Sequence, residues 1–307
     1  MSQQKTIKKA VSLTGIGVHS GNQVQATFYP AVADTGIIFR RNDIPNIQIN
    51  QIVASWQNVV DTRSCTTLAN QFNVSIRTVE HVMAALALLG IDNIVIDVTA
   101  KEMPILDGSA APFVELLRNA GLQTFSQAKK TIRLLKTVRV QGPQESYAQF
   151  TPADTSTFAV TLDLAARASV IGKQRFKGTL DEAMGDGVAA ARTFGFYEDA
   201  EKLWTLGLAK GASLENTVVI KENAIMNEEG LRFSDEFVRH KTLDAIGDMA
   251  LARYPLEAHY EAFNPGHTLN HHLLCALFAD TAAYTLVDNV SPFFEKDQHT
   301  FNVCAAL

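Results

Sequence analysis

Two polar islands set in apolar, helix-forming stretches hold the chemistry this chain can offer: Glu80 and His81 in the first, His240, Asp244 and Asp248 in the second. Together they supply two imidazoles, one or two carboxylate ligands and a spare acid, the inventory of a metal-dependent hydrolase. Glu80 and His81 are the only ionisable side chains between Val79 and Leu89. Val79, Met83 and Leu86 share one helical face while Ala84, Ala85 and Leu88 make the opposite face apolar too. The spacing therefore predicts a helix buried on most sides, from an N-cap at Ser75 to a stop at Gly90. Burying an unpaired charge is costly, so two such groups side by side require partners, and a metal ion with bound water satisfies both.

The second island is more explicit. Ser234-Asp235-Glu236 reads as an N-cap and acidic first turn, and helical periodicity follows from Phe237 to Ala252 before Pro255 forbids extension. Within it His240 and Asp244 stand about 40° apart around the axis and about 6 Å along it, with Asp248 one turn further on the same face. Gly247 lies beside this stripe, where a missing side chain lets another group approach closely. Each pair has an ordinary reading alone: a His-x3-Asp couple is often a surface hydrogen bond, and a buried histidine can be satisfied by a backbone carbonyl. In combination, imidazole and carboxylate are the usual non-thiolate zinc ligands, and three of them with an open fourth position make a catalytic site.

Several other chemistries lack their motifs. The chain has no His-Glu-x-x-His helix, no Gly-x-Ser-x-Gly elbow, no Gly-x-Gly-x-x-Gly loop and no Walker phosphate loop. Cys65, Cys275 and Cys304 are scattered, which excludes a local thiolate zinc site and argues against a disulfide framework.

The segments Thr14 to Gly21, Thr78 to His81, Gly90 to Ile94, Leu106 to Phe113, Arg192 to Phe196 and Phe237 to Asp248 occur in this order in the UDP-3-O-acyl-N-acetylglucosamine deacetylases, the zinc amidases of lipid A synthesis. The chain resembles that family from about residue 5 to beyond His267. The resemblance implies that His81, His240 and Asp244 ligate zinc and that Glu80 is the general base for water attacking an acetamide carbonyl. It also implies that the Thr193 hydroxyl helps to hold the oxyanion. His267 matches a histidine that acts as a cation, stabilising charge or protonating the leaving amine, and Asp248 orients it and raises its pKa. Lys241 would meet the sugar or phosphates, a solvated lysine on a helix edge being the other reading. Cys65 corresponds to a cysteine close to substrate, or else to a small buried hydrophobe. The acyl chain would enter an apolar passage made by an insertion, lined by Phe194, Phe196, Trp204, Leu206, Leu208 and Ala209, for which core packing is the alternative. The resemblance further implies a monomer. The His2Asp set accepts ferrous iron as well as zinc, with availability deciding.

These groups must be positioned by elements whose order is legible. A boundary falls around Phe125 to Lys130, between a helical pattern ending at Gly121-Leu122 and the strand-like run Ile132 to Val140. It divides the chain into 1–127, carrying Glu80 and His81, and 128–307, carrying His240, Asp244, His267 and the insertion. Each part shows strands first and helices later, with the site-bearing helix leading to another strand, Ile94 to Val98 or about Glu257 to Phe263. This hints at duplication and predicts an α+β fold of two related, layered sheet-and-helix sandwich domains with the metal between them. The resemblance implies the same.

Composition is compatible. With 307 residues, 47% of them hydrophobic, the chain can build two cores. A net charge of −5 and the lack of a basic block argue against nucleic acid. The longest apolar run, around Val82 to Ile91, is too short to span a bilayer, so no stable membrane insertion is expected. The start carries Lys5, Lys8 and Lys9 but no apolar signal region, which makes the cytoplasm the expected compartment. Two rival functions remain. A non-haem iron oxygenase also uses two histidines and a carboxylate, but normally on strands of a β-barrel. A non-catalytic binder of sugar nucleotides or acyl lipids would have no need of Glu80.

Overall fold

The computed structural model describes residues 3–288. The first half runs β1 (Gln3–Ile7), β2 (Val11–Ile16), β3 (Gln23–Pro30), β4 (Ile37–Arg41), β5 (Gln51–Val53), β6 (Val59–Asp61), β7 (Thr67–Ala69), β8 (Ser75–Ile76), α1 (Glu80–Leu89), β9 (Ile94–Val98), α2 (Ala111–Asn119) and β10 (Leu122–Ala128). The second runs β11 (Lys130–Leu134), β12 (Val138–Gln141), β13 (Tyr147–Pro152), β14 (Thr157–Asp163), β15 (Lys173–Thr179), α3 (Leu180–Gly185), β16 (Phe194–Phe196) and α4 (Ala200–Thr205). It continues through β17 (Val218–Lys221), β18 (Ala224–Ile225), α5 (Glu236–Ala250), β19 (Leu256–Phe263), α6 (His267–Ala279) and β20 (Tyr284–Asp288).

The strand pairings make the duplication explicit. In the first half the sheet order is β2-β3-β9-β4-β5, with β9 antiparallel to β3 and parallel to β4. In the second, β12-β13-β19-β14-β15 repeats that order, with β19 antiparallel to β13 and parallel to β14. The flanking pairs correspond as well, β1 with β10 and β11 with β20, both antiparallel. Each half thus threads one helix, α1 or α5, immediately before its late central strand, and the two helices pack against each other. The segments between the fifth strand and that helix differ: β6 to β8 in the first half, α3 to β18 in the second. The expected α+β fold of two related sandwiches is what the chain adopts.

Local sequence explains the elements that matter to the site. Val24, Ala26 and Phe28 alternate inward on β3, and Leu256 to Phe263 alternates over the whole of β19. In α1, Val82, Met83 and Leu86 are fully buried, each contributing about 1.5–3 kcal/mol, which offsets the cost of burying Glu80 and His81 beside them. Gly90 ends the helix in the left-handed conformation at φ 65°, its N–H donating to the Ala87 and Leu86 carbonyls.

Two expectations are corrected. Helix α1 starts at Glu80, not at a Ser75 cap: Ser75 lies in β8, and Thr78 at φ 57° breaks any continuous helix between them. The run Ile132 to Val140 is split between β11 and β12, which take separate places in the sheet. The segment read as a boundary, Phe125 to Lys130, holds the end of β10, which pairs with β1, and the start of β11, which pairs with β20. Cys304 lies outside the described residues.

Candidate metal centre

Helices α1 and α5 cross where Gly247 meets Glu80. A Cβ on Gly247 would lie 2.0 Å from the Glu80 carbonyl oxygen, so only glycine permits this approach. The crossing brings the first turn of α1 against the polar stripe of α5. Donor atoms of His81, His240 and Asp244, all buried, then lie within 4.8 Å of one another.

The tautomer of His240 follows from its partner. Its Nδ1 lies 3.0 Å from the Ala191 carbonyl, which can only accept, so Nδ1 carries the proton. Burial lowers the pKa of this ring, and burial together with His240 pushes His81 down to about 3, so both imidazoles are neutral near pH 7. The His240 Nε2 is therefore a lone pair, and it faces the Asp244 Oδ1 at 3.3 Å; the Nε2 of His81 is 3.7 Å from that same oxygen. Burial opposes ionisation of Asp244, but His240, Lys241, His267 and His81 hold its carboxyl below the usual range. Its Oδ2 accepts from Lys241 Nζ at 2.9 Å, while Oδ1 has no hydrogen-bond partner. Acceptors pointed at each other in a buried site are a destabilising arrangement unless a cation sits among them. The donor set fits a divalent metal on this ground.

A second cluster adjoins the first. Glu80 Oε2 accepts the Thr66 N–H at 3.0 Å, and Oε1 lies 3.7 Å from His267 Nε2. The other nitrogen of that ring, Nδ1, is 2.9 Å from Asp248 Oδ2. Asp248 also accepts from the Thr66 hydroxyl at 2.6 Å and the Asn270 amide at 2.8 Å, and Tyr260 in turn donates to Asn270. His267 is the first residue of α6, where the helix dipole disfavours a cation. Burial disfavours it further, yet Asp248 and Glu80 together push its pKa up to about 10. Glu80 is pushed up to about 8 by burial, against the pull of His267. Any cation held by the neighbouring triad adds to that pull and favours the carboxylate.

The other residues singled out in the sequence fall around this centre. Thr193 precedes β16, its N–H bonded to the Gly108 carbonyl at 2.8 Å. Phe194 packs edge-on against Phe237 and the His240 ring. Lys241 is not a solvated edge: it pairs with Asp244 and lies over the Phe194 ring. Cys65 is buried next to Thr66. Of the residues expected to line an acyl passage, Leu208 is buried, Phe194, Phe196 and Ala209 are half-buried, and Trp204 and Leu206 are 54% and 63% exposed. Sequence reasoning missed Thr66, Asn270 and the Ala191 carbonyl. Asn270 carried a signal, being i, i+3 from His267 on one helix face. Thr66 and Ala191 carried none.

A model of the UDP-3-O-acyl N-acetylglycosamine deacetylase family matches residues 4–279. The chain is similar to the UDP-3-O-acyl-N-acetylglucosamine deacetylase of Brucella ovis, with 44% identity over 287 residues, covering 93% of this chain and 98% of that protein. The deacetylases of Brucella abortus strain 2308 and Brucella melitensis biotype 2 match with the same identity and coverage.

Proposed function

This chain belongs to the UDP-3-O-acyl N-acetylglycosamine deacetylase family, and on that premise we infer that it hydrolyses the acetamide of UDP-3-O-acyl-N-acetylglucosamine, releasing acetate in lipid A synthesis. The observation that carries the reading is the buried cluster of His81, His240 and Asp244, in which the His240 lone pair faces an unpartnered carboxylate oxygen, beside a separate acid and a cationic histidine. In this reading residues 1–127 and 128–307 act as two domains over one site, and His81, His240 and Asp244 hold the metal, zinc or ferrous iron. Bound there, it supplies Lewis acidity that polarises the amide carbonyl and acidifies water.

The remaining chemistry belongs to side chains. Thr66 fixes Glu80 through one carboxylate oxygen, which leaves Oε1 to take the proton of the attacking water as the C–O bond forms. The Thr193 hydroxyl donates to the carbonyl oxygen as charge builds on it. As the C–N bond breaks, the leaving nitrogen takes a proton, either from the His267 imidazolium at Nε2 or from Glu80, which holds the one removed from water, and Asp248 keeps the His267 ring charged and aimed. Phe194 and Lys241 bound the substrate side, with Cys65 behind. A non-haem oxygenase is not favoured, since the ligands stand on helices next to an intact base.

No described helix is long and apolar enough to cross a membrane. The test is acetate release from UDP-3-O-acyl-N-acetylglucosamine by the protein as isolated, after chelation, and after zinc is restored. Release that is lost and regained with the metal is expected; none in any state, with metal bound, would overturn the substrate.

A further inference from the structure

One segment next to the metal centre is restrained more completely than its irregular backbone requires. From Ala189 to Thr193, each residue has a backbone group tied to a different anchor. The Ala189 carbonyl accepts from Ala110 N–H, and the Ala190 carbonyl from Arg232 Nη1, both at 2.9 Å. The Ala191 carbonyl meets His240 Nδ1, the Arg192 N–H donates to Glu236 Oε1 at 2.9 Å, and the Thr193 N–H donates to Gly108. Two of these anchors, Glu236 and His240, stand one turn apart on α5 and so share a face.

Glu236 is the organising member. An acid of the first helical turn, it is fully buried. Its carboxylate accepts the backbone N–H groups of Arg192 and Arg232, at 2.9 and 2.7 Å, and the Arg192 guanidinium at 2.9 and 3.2 Å. Arg192, also buried, passes on to Glu229 and the Gly230 carbonyl. A buried carboxylate with four donors is costly to desolvate, and stability alone is often served as well by apolar packing.

We propose that Glu236 is a positioning residue: it sets the register of residues 190–193 on α5, so that the Ala191 carbonyl aims the His240 imidazole at the metal and Thr193 faces the reacting carbonyl. The proposal rests on the metal-hydrolase reading above. Groups that orient a ligating histidine through its second nitrogen govern metal affinity as well as turnover.

Two variants test it, Glu236→Gln and the double replacement Arg192→Met with Glu236→Leu, the second removing both charges so that stability is regained without the hydrogen bonds. Zinc affinity is measured by chelator competition at a temperature where thermal melting shows each protein folded, alongside kcat and KM. Both variants are expected to bind zinc at least about tenfold more weakly and to lose at least about tenfold in kcat with KM little changed, whatever their melting temperature. Wild-type zinc affinity in the folded variants would overturn the proposal, as would full recovery of affinity and kcat in the double variant. Wild-type protein that binds zinc but releases no acetate overturns the substrate only, and the affinity measurement still decides the role of Glu236. Wild-type protein that binds no zinc overturns both.

Discussion

In the first half, α1 carries its two ionisable groups in the opening turn and is apolar from Val82 onward, whereas α5, its counterpart in the repeated plan, carries polar groups along most of its length. The same contrast appears in the helices that follow. Helix α6 opens on His267, while α2 opens on Ala111, and the turn before it, Asp107 to Ser109, braces the 190–193 segment instead. One plan has therefore been used twice with unequal division of the chemistry. The first half supplies the acid and one imidazole at a helix N-terminus, where the dipole favours an anion. The second supplies the other two candidate ligands and the cationic histidine. Neither half contains the whole cluster, so the crossing of α1 on α5 is what assembles it.

The largest effects should come from neighbours in the first half with opposite consequences. His81→Ala removes one of the three candidate ligands and is expected to lose both bound zinc and nearly all turnover. Glu80→Gln, one residue away, keeps shape and burial but cannot accept a proton; zinc should stay while turnover falls at least about a hundredfold. Metal content and acetate release measured on both proteins check this. Equal zinc loss in the two would make Glu80 a ligand and erase the distinction.

An intermediate effect tests the crossing. Alanine favours a helix over glycine by about 0.8–1 kcal/mol, so Gly247→Ala would stabilise α5 were the site open. The new methyl instead meets the Glu80 backbone, which cannot rotate aside, and such overpacking costs about 1–3 kcal/mol. The helices must separate, carrying Glu80 and His81 away from His240 and Asp244, and a displacement of about 1 Å can cost about a hundredfold in rate. Thermal melting and turnover are expected to fall together, turnover by far the more. A variant with normal activity would show that the two halves tolerate looser docking than the geometry implies.

How much of this was legible depends on whether the signal was periodic. His240, Asp244 and Asp248 share a helix face by spacing alone, and the alternation of Val24, Ala26 and Phe28 marks a strand, so both were read from the chain. The start of α1 was misplaced because Thr78 takes a left-handed conformation that no residue-type preference announces. Glu236 was legible only as a first-turn acid, because its partner Arg192 lies 44 positions away. Trp204 and Leu206 are apolar and exposed, and apolar character alone does not say which side of a short insertion meets a ligand and which meets solvent. The duplication could only be hinted at, since the halves share register and topology and not side chains. Thr66 was invisible: a threonine among polar neighbours becomes a bridge only when β7 and α1 are folded together.

That bridge allows the finest test of the comparison, because Thr66 belongs to the first half and the Asp248 it binds to the second. His267 is charged up to about pH 10, since the carboxylates of Asp248 and Glu80 outweigh burial. Activity that needs the imidazolium therefore persists below that pKa and declines as pH rises through it. In Asp248→Asn the largest raising influence is gone and burial dominates, so the alkaline limb of kcat/KM should move to lower pH. Thr66→Val acts in the other sense: it removes a donor that draws on the Asp248 charge, leaving more of it to His267, so the limb should stay or move slightly upward. Turnover should fall only modestly, about three- to tenfold, consistent with one lost hydrogen bond. The pH profiles of the two variants, taken side by side, decide whether the first half helps tune the second half's cation. A downward shift in both would mean that Thr66 merely holds Asp248 in place.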